Sequence, residues 1–185
     1  MTELTITTEK AHIWDTDIYC WKFHDPDNKY SRLSKAGIPM DAIVDAATAN
    51  NDFLGLQHVH GNVALNEGLA VVGDLIIGAG SPTNYASAYI GVGDSDTAAA
   101  ATQTALQAAT NKAYAAMDST FPKRTNQTLS FKATFGAGTG SFAWKEVTVI
   151  NSSTDAGANL NRKTGDWGTK GASDSYSIQV DITLS

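Results

Sequence analysis

The sequence predicts a mainly β protein: a C-terminal antiparallel β-sandwich or barrel, one short helix and an extended N-terminal arm. Three observations lead there. Short runs alternate apolar and polar residues with the period of a strand. Clusters rich in Gly, Asn, Asp and Ser separate those runs, as turns do. Glu is confined to Glu3, Glu9, Glu67 and Glu146 while Gly totals 16, a balance that starves long surface helices and favours strands joined by turns.

In chain order, residues 2–8 set Leu4 and Ile6 against Thr5 and Thr7, a strand or extended arm. Residues 12–22 place Ile13, Asp15, Asp17, Tyr19 and Trp21 on one face and Trp14, Thr16, Ile18 and Cys20 on the other. Neither face is cleanly polar, so such a strand lies between layers or against another subunit, and a two-sided core strand explains the pattern equally well. Residues 25–39 carry turn chemistry in Asp25-Pro26, Asp27-Asn28 and Gly37 before Pro39, and read as a loop. A short helix can follow Pro39 over residues 40–49. The stronger helix spans 62–78, where Leu65, Leu69, Val72 and Ile76 recur at spacings of four, three and four. Asn62 or Asn66 would cap it, Gly78 and Gly80 would stop it, and its apolar face is expected to be buried. Alternation marks strands within 85–93, 128–135, 141–150 and 176–184, and the alanine-rich stretch 97–109 reads as a linker with a turn or two of helix. The chain thus divides into a contacting arm, residues 1–61, and a helix-plus-β domain, residues 62–185.

Composition narrows the function classes. A chain of 185 residues, 42% hydrophobic and 17% charged, buries a sizeable core. Its net charge of -6 includes no run of Lys or Arg, which argues against direct nucleic-acid binding. Cys20 is the only cysteine, so no internal disulfide forms, and its place between Tyr19 and Trp21 favours a buried, inert thiol. The start lacks a signal-peptide pattern, and the longest apolar stretch is broken by Gly73 and Asp74; synthesis in the cytosol and no membrane span are expected.

Reactive constellations are few. His58 and His60 flank Val59, so in a strand both imidazoles project from one face, a two-ligand start for Zn or Ni or a pH-sensitive contact. Asp94-Ser95-Asp96 opens like a Ca2+ loop but lacks the closing carboxylate near Ala105, which makes a strand-ending turn the better reading. The glycine pairs lack a phosphate-binding continuation, and no G-x-S-x-G elbow occurs. No catalytic, cofactor or metal residues are assigned, and the protein is expected not to be an enzyme. Trp14, Tyr19, Trp21, Phe23 and Tyr30 crowd the first thirty positions and are either core or the anchors that hold this segment on a neighbouring subunit.

Three ordered segments carry a resemblance: AYIGVGDSDTAAAATQTALQAATNK from Ala88, MDSTFPKRTNQTLSFKATFGAGTGSFAWKEVTVIN from Met117, then LNRK and the closing IQVDITLS. Together they resemble a family of tailed-bacteriophage virion structural proteins over the last hundred residues; HIWD, NEG and LIIGAG extend the likeness upstream. The family often has W.E.G.FN where this chain has Trp144-Lys145-Glu146 and then Val-Thr-Val-Ile-Asn151, a departure that affects strand pairing there. The resemblance implies a capsid decoration or cement protein on the virion surface, made in the host cytoplasm, with the major capsid protein as partner and a homotrimer as assembly. It transfers no catalytic residue. The alternative is a tail fibre or receptor-binding adhesin, in which an exposed Trp167 and the Asn/Asp/Gly loops would form shallow sugar sites.

Overall fold

The computed structural model describes residues 14–184. The mainly β expectation is what forms: two five-stranded antiparallel sheets face each other, and three short helices attach at the margins. The first sheet runs β2-β1-β10-β7-β6, from β2 (Phe53–His60), β1 (Asp15–His24), β10 (Asp174–Thr183), β7 (Thr128–Phe135) and β6 (Lys123–Thr125). The second runs β3-β9-β8-β4-β5, from β3 (Val63–Ala64), β9 (Asn161–Thr164), β8 (Glu146–Ile150), β4 (Tyr89–Gly93) and β5 (Lys112–Ala116).

Alternation explains the register. In β10 the apolar Ile178, Val180 and Ile182 pair with Cys20, Ile18 and Thr16 on one side and with Ala133, Phe131 and Leu129 on the other. All except the half-buried Leu129 are buried on the inner face, where most of them meet Ile90, Val92, Val147 and Val149 of the second sheet in one core. Burying each large aliphatic side chain there contributes roughly 1.5–3 kcal/mol. Trp144 closes one end of the core, edge-on to Phe135 at 4.8 Å and to Tyr176 at 5.1 Å, with its indole N–H donated to the Gly140 carbonyl at 2.8 Å.

Several expectations change. Residues 2–8 lie outside the described residues. Of the arm expected over 1–61, residues 15–60 instead supply two strands and two helices: β1 pairs along its whole length with β10, so this stretch shares the core of the C-terminal strands. Its two apolar faces arise because the inner one joins the main core while Phe23, on the outer one, is covered by helices. The loop expected over 25–39 contains α1 (Lys29–Lys35), started by the buried Asp25 carboxylate, which accepts the N–H groups of Tyr30 and Ser31. The helix after Pro39 forms as α2 (Met40–Ala49). Phe23, Tyr30, Ile43 and Ala47 make a second small core where α1 and α2 meet the first sheet.

The helix expected over 62–78 is α3 (Asn66–Ile77), ending at Gly78 in the left-handed conformation as predicted. Neither asparagine caps it; Leu65 occupies the cap position, and the Asn62 side-chain oxygen accepts instead from Trp14 and Thr16. The buried face is also rotated. Gly68, not Leu69, rests on the backbone of 159–160, where an added Cβ would fall 2.5 Å from Leu160 Cα. Leu65 and Val72 follow Gly68 inward, which leaves Ile76 and Ile77 79% and 76% exposed.

That contact is testable. Gly68→Ala should push α3 off its seat and lower stability by about 1–3 kcal/mol, read as a reduced urea midpoint at constant slope, whereas Gly73→Ala, with open space around its Cβ position, should not.

Candidate functional site

The framework that positions the surface is polar and buried. On the outer face of the second sheet, the Arg162 guanidinium donates Nε–H to Glu146 Oε2 at 2.7 Å, and both side chains are fully buried. The carboxylate also accepts the backbone N–H groups of Gln107 and Ala108, while Arg162 Nη1 donates to the Thr97 carbonyl and Gln103 Oε1. The pair thereby holds the long connection 94–111, which has no helix or strand of its own, against the sheet. Gly93 is required for this: a Cβ there would fall 2.2 Å from Glu146 Oε1. The loop expectation for 97–109 stands, without the helical turn or two, since its backbone groups answer Glu146 and Arg162 instead. Asp94 and Asp96 serve a turn and surface contacts, with Asp94 accepting from Asn111 and Asp96 lying 3.7 Å from Lys145.

On the outer face of the first sheet, Asp118 plays the corresponding part. Its carboxylate accepts from Ser34 of α1 and from the Thr134 hydroxyl and N–H, and Lys132 Nζ lies 3.7 Å away. Burial lowers the Lys132 pKa, and Asp118 opposes that shift. Lys170, buried beside the Gly136 and Gly171 carbonyls to which it donates, is lowered by burial to about 8.

The aromatic residues singled out in the sequence separate into three places. Phe23 and Tyr30 are buried in the small core under α1 and α2 and present no surface to a neighbour. Trp14 lines an apolar groove beside α3. Tyr19 and Trp21 stand half-exposed and stacked, 5.7 Å apart, on the outer face of β1, and His58 of β2 stacks on Tyr19 at 4.6 Å. Leu56 pairs with Trp21 across the strands and is 51% exposed; Leu54 nearby is 53% exposed. Sequence reasoning missed both leucines, although Phe53-Leu54-Gly55-Leu56-Gln57 carries an alternation that marks Leu54 and Leu56 as one face.

His58 and His60 do project from one face, and both face Asp17, with His58 Nε2 2.7 Å and His60 Nδ1 3.3 Å from its Oδ1. Burial alone would raise the Asp17 pKa, but hydrogen bonds and charge from the two histidines outweigh it and hold the carboxyl below its usual range. Among the described residues no group of three or more His, Cys, Asp or Glu is arranged to hold a metal ion. Cys20 is buried, its thiol pushed up to about 12 by burial. Trp167, expected at the surface, is fully buried, because the turn around Gly165 folds its ring into the main core.

No family model, curated protein or solved structure matches this chain. No helix among the described residues is long and apolar enough to cross a membrane. Two apolar features stand out on its surface: the strip of Leu54, Leu56, Trp21 and Tyr19 toward one end of β1, and the exposed turn of α3 with its groove toward the other.

Two measurements check the framework. Arg162→Met strands a buried carboxylate and should cost about 3–5 kcal/mol by urea unfolding, and adding Glu146→Gln should recover part of that loss. Because Lys170 binds its proton more weakly folded than unfolded, the stability it contributes should rise with pH from about 8 toward the ordinary lysine range. Melts between about pH 8 and 9.5 should show that rise, and Lys170→Met should flatten it.

Proposed function

We propose that this chain is a structural component of a tailed-bacteriophage virion, a decoration protein that binds the outer capsid surface and stabilises contacts between capsomers. The observation that carries this reading is the pair of apolar strips left uncovered at the two ends of one strand. Leu54 and Leu56 lie beside Trp21, and Ile76 and Ile77 close α3, so a single rigid sandwich presents two separate adhesive surfaces. β1 has ten residues and spans roughly 33 Å, which suits a bridge between neighbouring subunits.

The motifs behind the phage resemblance support the same reading in a specific way. Gly93 of GVGD, Thr97, Glu146 of FAWKE and Arg162 of LNRK converge on the buried ion pair. They build a scaffold, and recognition falls to the faces it displays. The mechanism is additive: each standard contact buries about 800 Å² per partner and raises the work needed to part the capsomers. In this reading the major capsid protein is the partner and the assembly is a trimer on the threefold positions of the shell.

A tail-fibre or adhesin role is the second reading, favoured by the Tyr19–Trp21–His58 stack beside Gln179, Asp181 and Asp17, where rings and hydrogen-bonding groups stand together as a sugar requires. Localisation separates the two. Purified chain added to particles lacking it should decorate heads at fixed stoichiometry in electron micrographs, and Trp21→Ala with Leu56→Asp should reduce occupancy at least tenfold while leaving the melting temperature within a few degrees. Label confined to tails, or undiminished occupancy of the double variant, overturns the decoration role.

A further inference from the structure

The groove between α3 and the first sheet is walled by carbon. Trp14, Val72, Leu75, Leu129, Phe131 and Leu184 line a cavity of about 370 Å³. That volume falls among small-ligand sites, which measure about 300–1,000 Å³. The polar atoms of its aromatic walls are engaged within the chain: the Trp14 indole N–H is donated to Asn62 and the Tyr85 hydroxyl to the Ala158 carbonyl. A sugar or nucleotide would lose its hydrogen bonds to water there without replacement, so the walls select an apolar body.

The rim adds charge of one sign. Lys123 and Arg124 of β6 stand exposed on it, and no carboxylate lines the groove among the described residues. Arg124 pairs across the strands with Leu129, whose side chain lines the groove, so the guanidinium leaves β6 on the groove's side. One of its nitrogens donates to the Asn126 carbonyl at 2.5 Å, which holds the group at the turn and leaves further N–H donors for a ligand. Lys123 Nζ lies 4.7 Å from the centre of the Phe121 ring and brings the second positive charge. Carbon walls with cations at one margin match a single alkyl chain that ends in a carboxylate, the partner a guanidinium binds best.

We propose that this groove binds a long-chain fatty acid, its alkyl chain against Trp14, Leu75, Leu129 and Phe131 and its carboxylate at Arg124 and Lys123. The inference does not depend on a role in virions.

Trp14 makes the site report on its own occupancy. The full-length chain would be titrated with a brominated fatty acid below its micelle concentration, because bromine in contact with an indole quenches its fluorescence. Trp144 and Trp167 are buried in the core, and Trp21 stands on the outer face of β1, away from the groove. Saturable quenching at one ligand per chain, reversed by the unbrominated acid and lost in Trp14→Phe, is the expected result. Lys123→Glu with Arg124→Glu should weaken binding at least tenfold, and in the native chain a trimethylammonium amphiphile of the same alkyl length should compete at least tenfold less well than the acid. Absence of saturable quenching in the native chain, the outcome if another segment or a neighbouring copy fills the groove, overturns the proposal. Quenching that survives Trp14→Phe, or equal competition by the cationic amphiphile, overturns it as well.

Discussion

A buried ion pair on the outer face of one sheet governs how much of this chain can be ordered at all. Arg162 and Glu146 are both withdrawn from water, a costly step that their mutual attraction alone does not offset. The remaining hydrogen bonds change the balance: two backbone N–H groups for the carboxylate, and a carbonyl and an amide oxygen for the guanidinium. Those partners all come from the connection between β4 and β5, so supplying the ions with these bonds and ordering the connection are one event. Glycine at 93 is the steric condition for it.

The first sheet uses neutral and charged polar groups in the same way. Asp118, Ser34, Thr134 and Ser177 form a hydrogen-bonded group beneath α1, with Lys132 alongside. Asp25 and Asp52 fix the ends of the same region, the first through the start of α1 and the second through the Tyr30 hydroxyl. Between the sheets the packing is predominantly aliphatic and aromatic, whereas the covers on their outer faces are tied down by buried polar groups. This division keeps the covers in one position and so fixes which apolar side chains remain outside.

How much was legible follows from where the deciding contacts lie. β7 and β10 were readable almost to the residue because one face is core and the alternation is complete. The helix at 40–49 and the glycine stop of α3 were equally local. What escaped depends on distant partners. α1 is started by a carboxylate from outside the helix, and β6 and β9 are short strands with mixed polar sequence, paired only because β7 and β8 lie beside them. The face of α3 was misassigned because hydrophobic spacing favours Leu69 and gives no weight to Gly68, although the smallest side chain makes the closest approach. The surface aromatics were half legible. Tyr19 and Trp21 stand outward as a contact reading needs, yet nothing near Phe23 in the sequence announces that α1 and α2 will fold over it.

The antiparallel pairing of β1 with β10 bears on how the molecule carries load. Asp15 lies opposite Thr183, so the first and last strands among the described residues begin and end at the same edge of the sandwich. A pull applied through those two ends peels their ladder open one hydrogen bond at a time, the weakest geometry a sheet offers. Tension entering through side chains on the faces is instead shared by all the strands of a sheet together. A protein built this way resists being stretched by what it grips far better than being unravelled from its tips.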